Sequence, residues 1–163
     1  MAVLKEGSKA PLFKALDQNG NPIALADFKG KKVILYFYPK DDTPTCTIQA
    51  CNLRDNYALL QKKGYQVVGV STDDVKSHKK FEKKHNLPFP LVADEDKKIV
   101  DKYNLWGEKK LMGHTYMGTT RTTFLIDETG KIVKIIEKPV SKNHTEEILA
   151  AWKEVEAEAK AKK

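Results

Sequence analysis

The stretch KVILYFYPKDDTPTCTIQACNLRD, Lys32 to Asp55, decides how the chain is read. Val33 to Tyr38 form an unbroken apolar, β-favouring run, the pattern of a strand buried on both faces. A polar turn follows, and then a helix start: Thr43 at the N-cap, Pro44 at the first helical position, and Ala, Leu, Gln and Arg behind them. On that register Cys46 is the third helical residue, in the turn whose backbone N–H groups lack an intrahelical acceptor. Those N–H groups and the positive end of the helix dipole favour an anion, so a thiolate is stabilised there. A strand feeding a helix N-terminus is also where α/β folds present reactive groups.

The second cysteine, Cys51, follows five positions later. At 100° and 1.5 Å per residue, such a pair in an intact helix has Cα atoms roughly 8.7 Å apart. A disulfide requires about 7 Å or less. Either the two thiols are unrelated, or the first turns of the helix unwind to let them meet.

Pro39, Thr43 and Cys46 in PKDDTPTC match the peroxiredoxin pattern of Pro, three residues, Thr or Ser, two residues, Cys. The longer run YPKDDTPTCTIQACNLRD resembles the bacterioferritin-comigratory, or Q, class of that family. VVGVSTDD, WGEKKLMGHTYMG and GTTRTTFLIDETGKI, which contains Arg121, are similar to it too, so the likeness spans nearly the whole chain in order. The resemblance implies a peroxidatic thiolate at Cys46 and a resolving thiol at Cys51, which would close a Cys46–Cys51 disulfide. It also implies a Thr43 hydroxyl and an Arg121 guanidinium that contact the peroxide and the sulfur, and a Pro39 that shields the pocket from water. It implies a thioredoxin-like α/β fold, a hydroperoxide substrate, a thioredoxin-like dithiol reductant and a monomer, with no haem, metal or other cofactor. Two positions depart from the class: Thr45 stands where Gly is usual and Gln49 where Glu is usual. A β-branched Thr45 stiffens the helix start, and Gln49 removes the charge for any salt bridge made by the Glu.

The remaining chain fits one domain, 1–163, large enough to bury a core without staples. No run of about 18 apolar residues exists, and MAVLKEGSKAPLF lacks the pattern of a cleaved signal, so a reducing cytoplasm is the expected compartment and no membrane span is expected. Two cysteines close in sequence suit a redox pair better than a structural staple. The net charge of +7 comes from dispersed lysines with no interleaved aromatics. The clusters at Lys79 to Lys84 and Lys160 to Lys163 read as solvated helix faces, so nucleic-acid binding is not expected. His78, His85, His114 and His144 are scattered, and C-x4-C has no partner pair at zinc spacing, so no metal site is expected.

In chain order, residues 8–29 read as a small hairpin preceding the fold proper, and the Cys helix continues to Lys63, where Gly64 ends it. A buried strand at Gln66 to Ser71, an amphipathic helix from Asp74 to His85, a short strand at Leu91 to Ala93 and a helix at Lys97 to Tyr103 follow. That alternation argues a parallel-containing sheet. Residues 104–118 carry three glycines and no periodicity, and read as a long connection. A hairpin spans Thr122 to Ile136. A closing helix from Asn143 presents Ile148, Leu149, Trp152 and Val155 on one face, and residues 158–163 read as a frayed basic tail. The sum is a central mixed sheet flanked by helices, with an N-terminal hairpin. Two other functions fit a paired-thiol protein: a disulfide oxidoreductase, whose usual C-x-x-C spacing is absent, and a non-catalytic redox sensor or holdase.

Overall fold

A computed structural model describes residues 4–161. Seven strands form one mixed sheet: β1 (Lys14–Leu16), β2 (Pro22–Ala24), β3 (Lys32–Phe37), β4 (Tyr65–Ser71), β5 (Leu91–Ala93), β8 (Thr122–Ile126) and β9 (Ile132–Glu137), in the order β2-β1-β5-β4-β3-β8-β9. The parallel core is β3, β4 and β5, and β8 runs antiparallel to β3 on its other side. The helices are α1 (Pro44–Asp55), α2 (Tyr57–Lys62), α3 (Val75–His85), α4 (Lys98–Lys102) and α5 (His144–Ala161).

The apolar run of β3 is explained by a core on each side of the sheet. Ile34, Tyr36 and Tyr38 point into one cluster, with Cys46, Ala50 and Leu53 of α1, Leu60 of α2, Phe81 of α3 and Trp152 of α5. Val33, Leu35 and Phe37 point into the other, with Val68, Val70, Phe124 and Ile99 and Val100 of α4. Successive strand side chains alternate faces, so only a strand covered on both can be apolar throughout.

Four expectations need correction. The N-terminal hairpin does not precede the sheet but extends it, through the Leu16–Ala93 pairing of β1 with β5. The Cys helix is not continuous to Lys63: Asn56, at φ −109° and ψ 7°, breaks it between α1 and α2. Residues 104–118 are not a loop. They form a separate two-stranded hairpin, β6 (Trp106–Leu111) and β7 (His114–Thr119), turning at Met112 and Gly113, both with positive φ. Residues 158–161 are helical, the end of α5; residues 162 and 163 of the expected frayed tail lie outside the described residues. Among the described residues no helix is long and apolar enough to cross a membrane.

Candidate active site

The connection from β3 to α1 sets the site. Pro44 is the first residue of α1, and Thr43 before it is extended at φ −86° and ψ 155°, an N-cap backbone. Its hydroxyl does not cap the helix as expected. It donates instead to the Lys40 carbonyl at 2.9 Å, closing the loop on itself and leaving α1 without a capping side chain. Pro39 stands in the same connection and is exposed.

Cys46 lies in the first turn of α1 with 1% of its surface accessible, and Cys51 is half-buried later in the same helix. Both are free thiols in an intact helix, so the spacing argument applies to this conformation.

Arg121 reaches the sulfur from across the sheet, from the residue just ahead of β8. Its Nη2 donates to Cys46 Sγ at 3.2 Å and its Nη1 to Gln49 Oε1 at 2.8 Å. The planar fork holds both acceptors at once in a preset geometry, which the point-like ammonium of a lysine does not supply. Gln49, one turn after Cys46, is fully buried. Its amide oxygen accepts a charge-assisted hydrogen bond but carries no charge, so it does not neutralise the guanidinium as a carboxylate would. Arg54, the other arginine near the helix, is committed elsewhere, to Asp55 at 2.9 Å and the His85 carbonyl at 2.7 Å.

Tyr36 belongs to the same environment and escaped the sequence reading because it sits inside an apolar strand. Its ring packs with Tyr38 and Phe89, and its hydroxyl has no hydrogen-bond partner among the described residues. Burial first, then the negative charge of Cys46 and Asp41, push its phenol well above the usual range, while Arg121 acts the other way. Behind Arg121, His144 is fully buried between Thr123 and Glu147, with Nε2 2.8 Å from Thr123 Oγ1 and Nδ1 3.1 Å from Glu147 Oε1. These partners suit a neutral ring with Nδ1–H donating to the carboxylate. Burial lowers its pKa and Arg121 adds to the effect, against the pull of Glu147.

A second polar cluster lies on the other side of the Cys loop. Asp41 accepts from the Tyr38 hydroxyl at 2.6 Å, from Ser77 Oγ at 2.8 Å and from His78 Nδ1 at 2.7 Å, while its own N–H donates to Asp73 at 2.8 Å. Asp41, Asp73 and His78 could approach a cation. Their facing atoms are already joined by these hydrogen bonds and by that of Ser71 to Asp73 at 2.6 Å.

Residues 7–135 match the AhpC/TSA family. The chain belongs to that family. Among AhpC/TSA proteins it is 45% identical to Escherichia coli peroxiredoxin Bcp, over 94% of this chain and 99% of that one. It is 42% identical to Bacillus subtilis peroxiredoxin Bcp, over 91% and 95%. Its fold matches that of Xanthomonas campestris peroxiredoxin Q at 33% identity and a TM-score of 0.80, covering 86% of this chain and 90% of that one. It also matches Xylella fastidiosa peroxiredoxin Q at 29% identity and a TM-score of 0.86, covering 94% and 98%. The family resemblance read from the motifs and the thioredoxin-like fold are thus both met.

Proposed function

We propose that the chain is a thiol peroxidase that reduces hydrogen peroxide and alkyl hydroperoxides through Cys46. A structural study of the Xanthomonas campestris bacterioferritin comigratory protein addresses alkyl peroxide reduction by that protein. The observation that carries the reading is the Arg121 fork, which ties a buried helix-N-terminal sulfur to a fixed positive charge. In the first step the Cys46 thiolate attacks one peroxide oxygen and the O–O bond breaks. Cys46 becomes a sulfenic acid, and the departing alkoxide or hydroxide takes a proton to leave as alcohol or water. Arg121 and the N–H groups of the first turn stabilise the charge that moves onto the leaving oxygen. The Thr43 hydroxyl, three residues ahead of Cys46, turns from Lys40 to the bound peroxide, and Pro39 closes the pocket over it.

In the second step the Cys51 thiol displaces water from the sulfenic acid and forms a Cys46–Cys51 disulfide. The first turns of α1 unwind for this, because the intact helix holds the Cα atoms roughly 8.7 Å apart. A thioredoxin-like dithiol then reduces the disulfide by exchange and is itself oxidised. The protein acts as a monomeric, single-domain enzyme of the cytoplasm, without cofactor.

Mass measurement after one equivalent of peroxide tests the sequence of steps. The wild type loses two hydrogens with no intermolecular link, whereas Cys51→Ser gains one oxygen at Cys46. An unchanged mass in the wild type overturns the reading. Peroxide consumption over many equivalents per chain separates it from a redox sensor, and insulin reduction without peroxide separates it from a disulfide oxidoreductase.

A further inference from the structure

The buried cluster around Asp41 plays no part in the chemistry above, yet it holds the loop that carries it. Asp41 lies two residues before Thr43 and three before the start of α1. It is 7% exposed, and His78 is fully buried. His78 Nε2 lies 2.9 Å from the Val92 carbonyl of β5 and Nδ1 lies 2.7 Å from Asp41 Oδ2. A carbonyl accepts only, so Nε2 carries a hydrogen, and a carboxylate facing Nδ1 calls for a second. These partners suit a doubly protonated ring that spans β5 and the Cys loop. Its pKa moves consistently with this: burial alone would lower it, but the hydrogen bond and charge of Asp41, with help from Val92 and Asp73, leave it raised.

The rest of the loop is bound to the same helix. Asp42, in the left-handed region at φ 57°, accepts from Lys84 at 2.7 Å and faces His85 Nε2 at 3.2 Å. Helix α3 is a firm base for these bonds, since Asp74 caps its start through Ser77 N at 2.7 Å and Phe81 is in the core. Helix α1, by contrast, has no side-chain cap at Thr43 among the described residues. The first turn is therefore held from one side by the Arg121 bonds to Cys46 and Gln49 and from the other by the loop, and the loop is bound to α3.

We propose that His78 is a positioning residue that, by clamping Asp41 to β5 and α3, sets the balance between the wound start of α1 and the unwound one. The wound state reacts with peroxide and the unwound state lets Cys51 reach Cys46. The inference rests on the peroxidase reading of Cys46 and Cys51. Releasing the clamp shifts the population toward the unwound state, so the two chemical steps move in opposite directions. A contact that merely adds stability would not divide them in this way.

The test is rapid-mixing kinetics with hydrogen peroxide, scoring sulfenic acid formation and disulfide formation separately by quenching and mass measurement. His78→Ala is expected to slow the first step by about tenfold and to speed the second by several-fold. It should also yield less sulfinic acid at excess peroxide, because the sulfenate is captured sooner. His78→Gln, which can donate to Asp41 without charge, should fall between the two. Tyr38→Phe, which removes one donor to Asp41 and keeps the ring, shifts the ratio the same way by a smaller factor and serves if the alanine variant does not fold.

In the wild type the ratio of second to first step rises as pH climbs through the folded-state pKa of His78. The groups facing the ring are Asp41 from the loop, Asp73 from the β4–α3 turn, Tyr38 from the end of β3, and the Val92 carbonyl. This rise is absent in His78→Ala. A ratio within twofold of the wild type, with an unaltered pH profile, overturns the proposal. A wild type that consumes no peroxide overturns the peroxidase reading instead.

Discussion

At the residue scale the account turns on how one cation is shared. Arg121 grips Cys46 Sγ with one arm of its fork and Gln49 Oε1 with the other. Arg121→Lys keeps the charge and loses the fork, so the two acceptors are no longer held in a preset planar geometry. The expected outcome is a fall of about 10- to 100-fold in the second-order rate with peroxide, with the unfolding midpoint nearly unchanged. Rates within threefold of the wild type would mean that charge alone suffices. The identities of Cys46, Thr43, Pro39 and Arg121 as candidates were legible because motif spacing is local and the family pattern names them. The Gln49 contact was legible only as a departure, since the sequence does not say which group an uncharged side chain would meet. The capping role read for Thr43 failed for a local reason: the Lys40 carbonyl was close enough to take the hydroxyl first.

At the scale of elements, the two halves of α1 are held by different partners. Its later half is pinned by Asn52, whose Oδ1 accepts from Thr145 N at 2.8 Å and Thr145 Oγ1 at 2.7 Å and whose Nδ2 donates to the Lys142 carbonyl at 2.9 Å. Arg54 ties the same half to the end of α3. In the proposed second step this leaves the turns around Cys46 as the part of α1 that would unwind. Asn52→Ala leaves Thr145 without its acceptor and is expected to cost about 1–3 kcal/mol in denaturant unfolding. A loss under 0.5 kcal/mol would show that the pin is not there. The strand beneath the site is equally constrained. A Cβ on Gly69 of β4 would stand 3.0 Å from the Tyr36 ring and from Leu91 Cδ2. Gly69→Ala should therefore lower stability in denaturant unfolding by about 1–3 kcal/mol.

The starts of α1 and α3 and the β3 and β4 strands were legible because caps, prolines and apolar runs are short-range signals. The hairpin of β6 and β7 was not: His114, Thr115, Tyr116 and Met117 are all exposed. A strand with no buried face shows no alternation.

On the scale of the whole molecule, two buried histidines give stability opposite pH dependences. His144 has a pKa lowered by burial, so the unfolded chain takes up the proton more readily, and stability contributed at neutral pH is lost as pH falls through the unfolded value of about 6.5. His78 has a raised pKa, so its contribution is complete below that value and is lost as pH rises through its folded pKa. Unfolding midpoints measured from pH 5 to pH 9 should therefore show a flatter acid limb in His144→Gln and a flatter alkaline limb in His78→Gln. Parallel curves for wild type and both variants would remove these two groups from the account. The pairing that holds His78 joins residues 37 positions apart, which no local pattern announces. Part of the dispersed positive charge of the sequence meets partners both one turn away and far along the chain. Lys79 meets Glu82 and Asn19, and Lys84 meets Asp42.

The central claim is that one sulfur performs the reduction and the other closes the cycle. Stopped-flow measurement of peroxide consumption in the presence of a dithiol reductant, with wild type, Cys46→Ser and Cys51→Ser, tests it most directly. The account predicts sustained consumption by the wild type, none by Cys46→Ser, and a single stoichiometric round by Cys51→Ser when no small thiol is present. Sustained consumption by Cys46→Ser would contradict it.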